Sequence, residues 1–289
     1  MPKRQLPFMQ VDVFSPESGQ VLGGNPLAVF YDVPGFLDVS TMQAIARELN
    51  CPETTFVTQP PEREGRYRVR IFTPYQELPF AGHPTLGTYF VLKAKGLLEG
   101  PGMQISGAGD TSCSEDERGW IWIVPPKGHV RDVLVSATRL ASAFGVGDIF
   151  LDETMPPAVC GTGIDHLVVF ITNSEILPDL EPLLPRIAAL QYDLGVQGVY
   201  VVAMVGPTTY RARFFNKEGE DPATGSAAAG FATYLMQSAG ETAIRRYIIS
   251  QGTEMGRTSE IHVRLNALSL GSLELGGRVF PVVDGTFYV

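Results

Sequence analysis

Short runs of β-branched and aromatic residues, alternating with polar ones or wholly apolar, recur along the chain. They occupy residues 10–14, 26–31, 67–72, 119–124, 166–171, 198–205 and 210–215. Gly, Pro, Asn or Asp fills most gaps between them, so each run predicts a strand. Helical spacing is rarer. It covers 40–50, opened by a Ser/Thr cap signal and stopped before Cys51-Pro52, then 84–95, 136–144 and a stretch from about 223 to 239. The two kinds of element alternate too irregularly for a doubly wound parallel sheet, and an α+β protein on a strand-dominated scaffold is expected.

A long-period repeat organises these elements. A shift of 143 positions superposes residues 70–92 on 213–235, and it matches Arg70 with Arg213, Phe72 with Phe215, Glu77 with Glu220, Pro79 with Pro222, Gly82 with Gly225, Gly87 with Gly230 and Leu92 with Leu235. Nearby offsets align GNPLAVF at 24–30 with IDHLVVF at 164–170, and CPETTFV at 51–57 with VQGVYVV at 196–202. Both halves then run in the order strand, helix, strand, strand, glycine-containing turn, helix. Two similar domains are expected, 1–126 and 127–278, parted at the Pro-Pro-Lys-Gly stretch that begins at Pro125. The last strand-like residues, 279–289, can return to complete the first domain. Two packed repeats can serve simply to build a core. The shared glycines, however, sit at strand-to-helix turns, where backbone approaches a ligand closely.

Composition narrows the partners. Of 289 residues 44% are hydrophobic and 18% charged, which is globular and neither disordered nor fibrous. Lys and Arg number 22 against 31 Asp and Glu, and the net charge of −9 opposes attraction to nucleic acid or an anionic membrane. Three widely spaced cysteines, Cys51, Cys113 and Cys160, support neither a disulfide framework nor a zinc cluster. With no signal-peptide pattern and no membrane-length apolar run, a soluble, cytoplasmic protein is expected.

The candidate chemistry gathers at the repeated turns. PFAGHPTLGTYF at 79–90 places Gly82 and His83 at one helix entrance, with Pro84 suited to the first helical position. EDPATGSAAAGFATYL at 220–235 places Gly225 and Ser226 at the other. The first amides of a helix lack internal partners and carry the positive end of its dipole, so each entrance can cradle a carboxylate or phosphate despite the negative net charge. Glu53 sits in a short loop at a strand start, and its counterpart in the second half is the neutral Gln197. One half then offers a proton carrier and the other only a hydrogen bond. His83 and Asp221 can hold an amine or hydroxyl. Their plainer readings are a solvated cap for His83, a turn former for Asp221 and an exposed loop carboxylate for Glu53. No HxH or HExxH pattern involves His83, His129, His166 or His262, and phosphate-loop, dinucleotide and GxSxG fingerprints are absent. The expectation is acid/base chemistry on a small acid with no metal and no cofactor.

GNPLAV at 24–29, ETTF at 53–56, FAGHPTLGT at 80–88, EDPATGSAA at 220–228 and QGTEMGR at 251–257, in this order across nearly the whole chain, resemble the signatures of the phenazine biosynthesis PhzF-like family. The resemblance implies the diaminopimelate epimerase-like fold: two pseudo-symmetric β-roll domains, each wrapped around a central helix, here 84–95 and 225–239, with the site in the cleft between them. It implies Glu53 as general acid/base and Gly82, His83, Asp221, Gly225 and Ser226 as substrate-binding residues. Related two-thiol epimerases carry a cysteine at each turn, where this chain has Ala81 and Thr224. The activity implied is the isomerisation of trans-2,3-dihydro-3-hydroxyanthranilate, in which hydrogen moves from C3 to C1, and a homodimer is expected from the same source. A cofactor-independent isomerase of a small carboxylate-bearing substrate is the leading expectation. A racemase or epimerase of an amino or hydroxy acid, and a non-catalytic binder of small anions, are the alternatives.

Overall fold

The strand runs become the walls of two units, Met1–Val124 with Gly276–Val289, and Pro125–Leu275, in a computed structural model that describes residues 4–18, 22–33, 37–147, 151–239, 245–266 and 272–289. In the first unit the elements are β1 (Gln5–Ser15), β2 (Asn25–Phe30), α1 (Val39–Leu49), β3 (Glu53–Gln59), β4 (Arg66–Phe72), β5 (Glu77–Leu78), α2 (Gly82–Ala94), β6 (Gly102–Ser106), β7 (Gly109–Glu115) and β8 (Ile121–Ile123). The C-terminal strand, Ser272–Tyr288, pairs with β1 and with β8, so the sheet closes on itself around α2.

Two helices with opposite surroundings show how the sequence specifies this wall. Helix α1 is amphipathic: Met42, Ile45 and Ala46 are buried at helical spacing, packed with Phe30, Phe56 and Phe72 on the outside of the sheet. The rings of Phe30 and Phe56 stack at 4.9 Å. Its cap is Asp38, whose Oδ1 accepts the Thr41 N–H at 2.8 Å, two residues before the expected start, and Asn50 ends it in the left-handed region. Helix α2 is buried on nearly all sides. It begins at Gly82, two residues before the expected Pro84. Pro84 still falls among the first four positions, where an amide has no helical acceptor to lose. Gly87 lets the wall come close, since a Cβ there would lie 2.5 Å from Leu27 Cδ2 and 2.9 Å from Val13 Cγ2. Because β2 is covered by α2 on one face and by the α1 cluster on the other, Leu27, Ala28, Val29 and Phe30 are all buried.

The second unit repeats the plan. It comprises β9 (His129–Asp132), α3 (Ala137–Ala143), β10 (Ala158–Gly161), β11 (Asp165–Ile171), a 3-10 turn (Ser174–Asp179), α4 (Leu184–Leu194), β12 (Val199–Gly206), β13 (Thr209–Asn216), β14 (Gly219–Asp221), α5 (Gly225–Ala239), β15 (Arg245–Gln251) and β16 (Ser259–Asn266). Strand β2 lies parallel to β3, and β11 parallel to β12; α1 and α4 make the crossovers that such pairs require. Antiparallel β3–β4 answers β12–β13, parallel β4–β6 answers β13–β15, and antiparallel β6–β7 answers β15–β16. Helix α5 is the counterpart of α2, with Ala227, Ala228, Ala229, Phe231 and Ala232 buried. A Cβ on Gly230 would come within 3.2 Å of the Cys160 backbone, so here too a glycine sets the helix close to a strand. Among the described residues no helix is long and apolar enough to cross a membrane.

The repeated residues have a structural meaning. Arg70 Nε and Nη2 donate to both carboxylate oxygens of Glu77 at 2.7 and 2.6 Å, and Arg213 does the same to Glu220 at 2.8 and 2.8 Å. Each guanidinium also lies over the phenylalanine two residues on, Phe72 at 5.4 Å and Phe215 at 4.8 Å. The same clamp thus ties the strand to the short return strand that leads into the central helix in both units.

Candidate active site

In the first unit, Glu53 is the first residue of β3, held in register opposite Leu27 of β2, and His83 is the second residue of α2. The fold brings them together: His83 Nε2 lies 3.1 Å from Glu53 Oε2, with the side chains only 6% and 16% exposed. The approach is out of line for a hydrogen bond, so both atoms are buried without an aligned partner. Buried polar groups are normally satisfied, and this pair is left available for something else. Hydroxyl and amide ties hold the frame: Thr55 and Thr88 meet at 2.9 Å across β3 and α2, Gln104 of β6 donates to Thr85 at 2.8 Å, and Thr85 donates to the Ala81 carbonyl at 2.9 Å. Ala81, the residue before Gly82, is extended and provides no side-chain cap, as alanine must.

The second unit solves the same turn differently. Asp221 ends β14, two residues before Ala223, and its Oδ2 accepts the hydroxyl of Thr224. Gln251, at the end of β15, accepts the Thr224 N–H at 3.1 Å and donates to the Asp221 carbonyl at 2.7 Å and to Thr224 Oγ1 at 3.0 Å. Gly225 and Ser226 are the first two residues of α5. Ser226 Oγ lies 2.8 Å from Nε2 of His166 on β11, a ring set edge-on to Phe214. Burial depresses the His166 pKa to about 3, so the imidazole is neutral near pH 7. The three cysteines are buried and outside any disulfide, and burial pushes the thiols of Cys113 and Cys160 up to about 12.

One residue reading needs correction. Thr54 stands opposite Phe72, and Val199 opposite Phe215, the repeat partner of Phe72. The residue equivalent to Glu53 is therefore Gly198, and Gln197 is an exposed neighbour whose backbone N–H donates to the Asp165 carbonyl. A side chain at 198 would not fit, since a Cβ there would lie 2.2 Å from Phe214 Cζ. The second unit thus carries no acid, base or amide at that position. Residues not singled out for a role from sequence are Thr224, Gln251 and His166. Gln251 lies within QGTEMGR, and His166 within the aligned IDHLVVF, so both had a signal but no visible partner.

Comparison with known proteins identifies the family and supports the fold. A sequence model of the family described as phenazine biosynthesis-like protein matches residues 11–285. The trans-2,3-dihydro-3-hydroxyanthranilate isomerase of Pseudomonas aeruginosa is 31% identical, covering 98% of this chain and 99% of its own. Antisense-enhancing sequence 1 of Schizosaccharomyces pombe is 30% identical with 98% of each chain covered. Among solved structures, the phenazine biosynthesis protein of the PhzF family from Bacillus anthracis superposes with a TM-score of 0.86 at 22% identity, over 99% of this chain and 100% of that one.

Proposed function

Because the chain belongs to the phenazine biosynthesis-like protein family and is an isomerase, we propose that it moves a proton between two carbons of a small carboxylate-bearing substrate, a cyclic amino or hydroxy acid, with Glu53 as the one acid/base group. Gly82, His83, Asp221, Gly225 and Ser226 bind that substrate in this reading. The observation that carries it is the contact between Glu53 and His83, two buried polar groups at 3.1 Å with no aligned partner of their own.

The chemistry balances with a single carboxylate. Glu53 takes a proton from one carbon, the electron pair of the broken C–H bond shifts through the neighbouring double bonds, and the resulting carboxylic acid returns a proton to a second carbon. The enzyme ends as it began, with no oxidant, reductant or net proton. On the compound named for the Pseudomonas relative, the C3–H bond breaks, a C1–H bond forms, and the enol left at C3 becomes a ketone. His83 and the first amides of α2 are suited to hold polar groups of the ligand while Glu53 works, and the neutral His166 holds the Ser226 hydroxyl oxygen in place at 2.8 Å. Inverting a stereocentre usually calls for a second base. The glycine at position 198 and the Ala81 and Thr224 at the turns supply none there, which favours a single carrier.

Single turnover of trans-2,3-dihydro-3-hydroxyanthranilate deuterated at C3, read by NMR, tests this. A single carrier leaves part of the deuterium at C1 of the product. Complete loss of the label to water would overturn it. A homodimer in the cytoplasm completes the reading, and light scattering of the purified 31.4 kDa chain measures the first of these directly.

A further inference from the structure

We propose that Gln251 is the positioning residue of the second turn, and that through Thr224 it holds Asp221 as a hydrogen-bond acceptor for an amino or hydroxyl group of the substrate. The claim about the substrate rests on the function proposed above; the claim about the turn does not. Gln251 is 1% exposed, and every polar atom of its amide is engaged on a turn reached across 27 residues of sequence.

The direction of these bonds is set by chemistry. The Thr224 N–H can only donate, so its partner at 3.1 Å is the Gln251 carbonyl oxygen. The Asp221 carbonyl can only accept, so its partner at 2.7 Å is the Gln251 amide nitrogen. One pure donor and one pure acceptor leave no choice of flip. The second N–H of that nitrogen lies 3.0 Å from Thr224 Oγ1, which therefore accepts, and the threonine's own proton goes to Asp221 Oδ2. A protonated Asp221 donating the other way would leave the Thr224 proton with no acceptor among its partners. The relay thus runs from Gln251 to Thr224 to the Asp221 carboxylate and favours its ionised, accepting form.

A second observation shows that the segment after Gln251 is built against the same turn. Gly252 adopts φ +76°, and a Cβ there would sit 2.6 Å from the Pro222 carbonyl and 2.6 Å from that of Arg257. Ser259 closes the arrangement, donating to the Pro222 carbonyl at 2.9 Å and lying 3.0 Å from the Gln251 carbonyl. The QGTEMGR motif is on this account a template for the EDPATGS turn, with the side chain of Gln251 as its contact.

Two full-length variants test it. Gln251→Leu removes all three bonds, whereas Gln251→Glu keeps an acceptor for the Thr224 N–H and loses both donors. Hydrogen exchange of the ligand-free proteins, followed by mass spectrometry, should show the Thr224 amide exchanging at least about tenfold faster in Gln251→Leu, little changed in Gln251→Glu, and the peptide covering 82–94 unchanged in both. With trans-2,3-dihydro-3-hydroxyanthranilate, KM should rise about tenfold or more in both variants while kcat stays within about threefold, the split expected of lost binding without lost chemistry. Unaltered Thr224 exchange in Gln251→Leu would overturn the proposal, as would faster exchange with KM unmoved. If the wild-type protein leaves the compound unchanged, the proton-transfer reading fails, and the exchange comparison still judges the positioning claim.

Discussion

Replacing Arg213 by methionine removes a guanidinium that makes two bonds to Glu220 and, through Nη1, two more to the carbonyls of Leu177 at 2.7 Å and Leu180 at 2.8 Å. Its repeat partner Arg70 makes the same fork to Glu77. The first pair is 7% and 14% exposed, the second 29% and 38%. One motif therefore occurs in two solvent environments within one chain. Breaking a buried pair leaves a charge without compensation and costs about 3–5 kcal/mol. A pair open to water is screened and contributes about 0.2–1 kcal/mol. At a urea dependence of about 2 kcal/mol/M, Arg213→Met should lower the unfolding midpoint by about 2 M and Arg70→Met by no more than about 0.5 M. Far-UV circular dichroism reports both units, whereas both tryptophans, Trp120 and Trp122, lie in the first. The Arg213 variant should therefore move the dichroism transition at least as much as the fluorescence transition. Adding Glu220→Leu should recover part of the loss by removing the orphaned charge. Equal shifts for Arg213→Met and Arg70→Met would refute the argument that burial sets the worth of the clamp.

Two further perturbations follow from the described geometry. His166 is neutral when folded, with its pKa depressed by burial to about 3, while in the unfolded chain it takes up a proton below about pH 6.5. Stability is thus lost as pH falls through that window, by about 1.4 kcal/mol per pH unit from this site. Urea titrations between pH 6 and pH 4 should show a shallower loss for His166→Gln, and identical slopes would contradict it. Gly87→Ala places a methyl 2.5 Å from Leu27 Cδ2. Overpacking of about 1–3 kcal/mol should outweigh the gain of about 1 kcal/mol from helix propensity, so the melting temperature should fall; a rise would show that the wall yields.

The strands at 10–14 and 210–215 and both central helices were legible because apolar runs and small-residue turns are local signals. Helix α4 was harder to place, since Pro178, Pro182 and Pro185 crowd its approach and disguise its period, although Pro185 falls in the first turn and is harmless there. Strands β6 and β7 carry Ser, Thr, Gly and Asp in place of an apolar alternation, and only the pairing of β6 with β4 and of β7 with β6 identifies them. Glu53, His83, Asp221, Gly225 and Ser226 could be named from the turns they flank. What held them could not: Gln251 reaches Thr224 across 27 positions and His166 reaches Ser226 across 60. Gly198 was itself legible: aligning 51–57 with 196–202 sets Pro52 against Gln197 and Glu53 against Gly198, in agreement with the strand pairing.

The most direct measurement is the turnover of Glu53→Gln on trans-2,3-dihydro-3-hydroxyanthranilate, beside its calorimetric affinity for the same compound. The amide keeps the shape and the contact with His83 but cannot carry a proton between carbons. The expected result is a kcat lowered by about a thousandfold with Kd within a few-fold of wild type. A variant that binds and turns over like the wild-type enzyme would contradict the account at its centre.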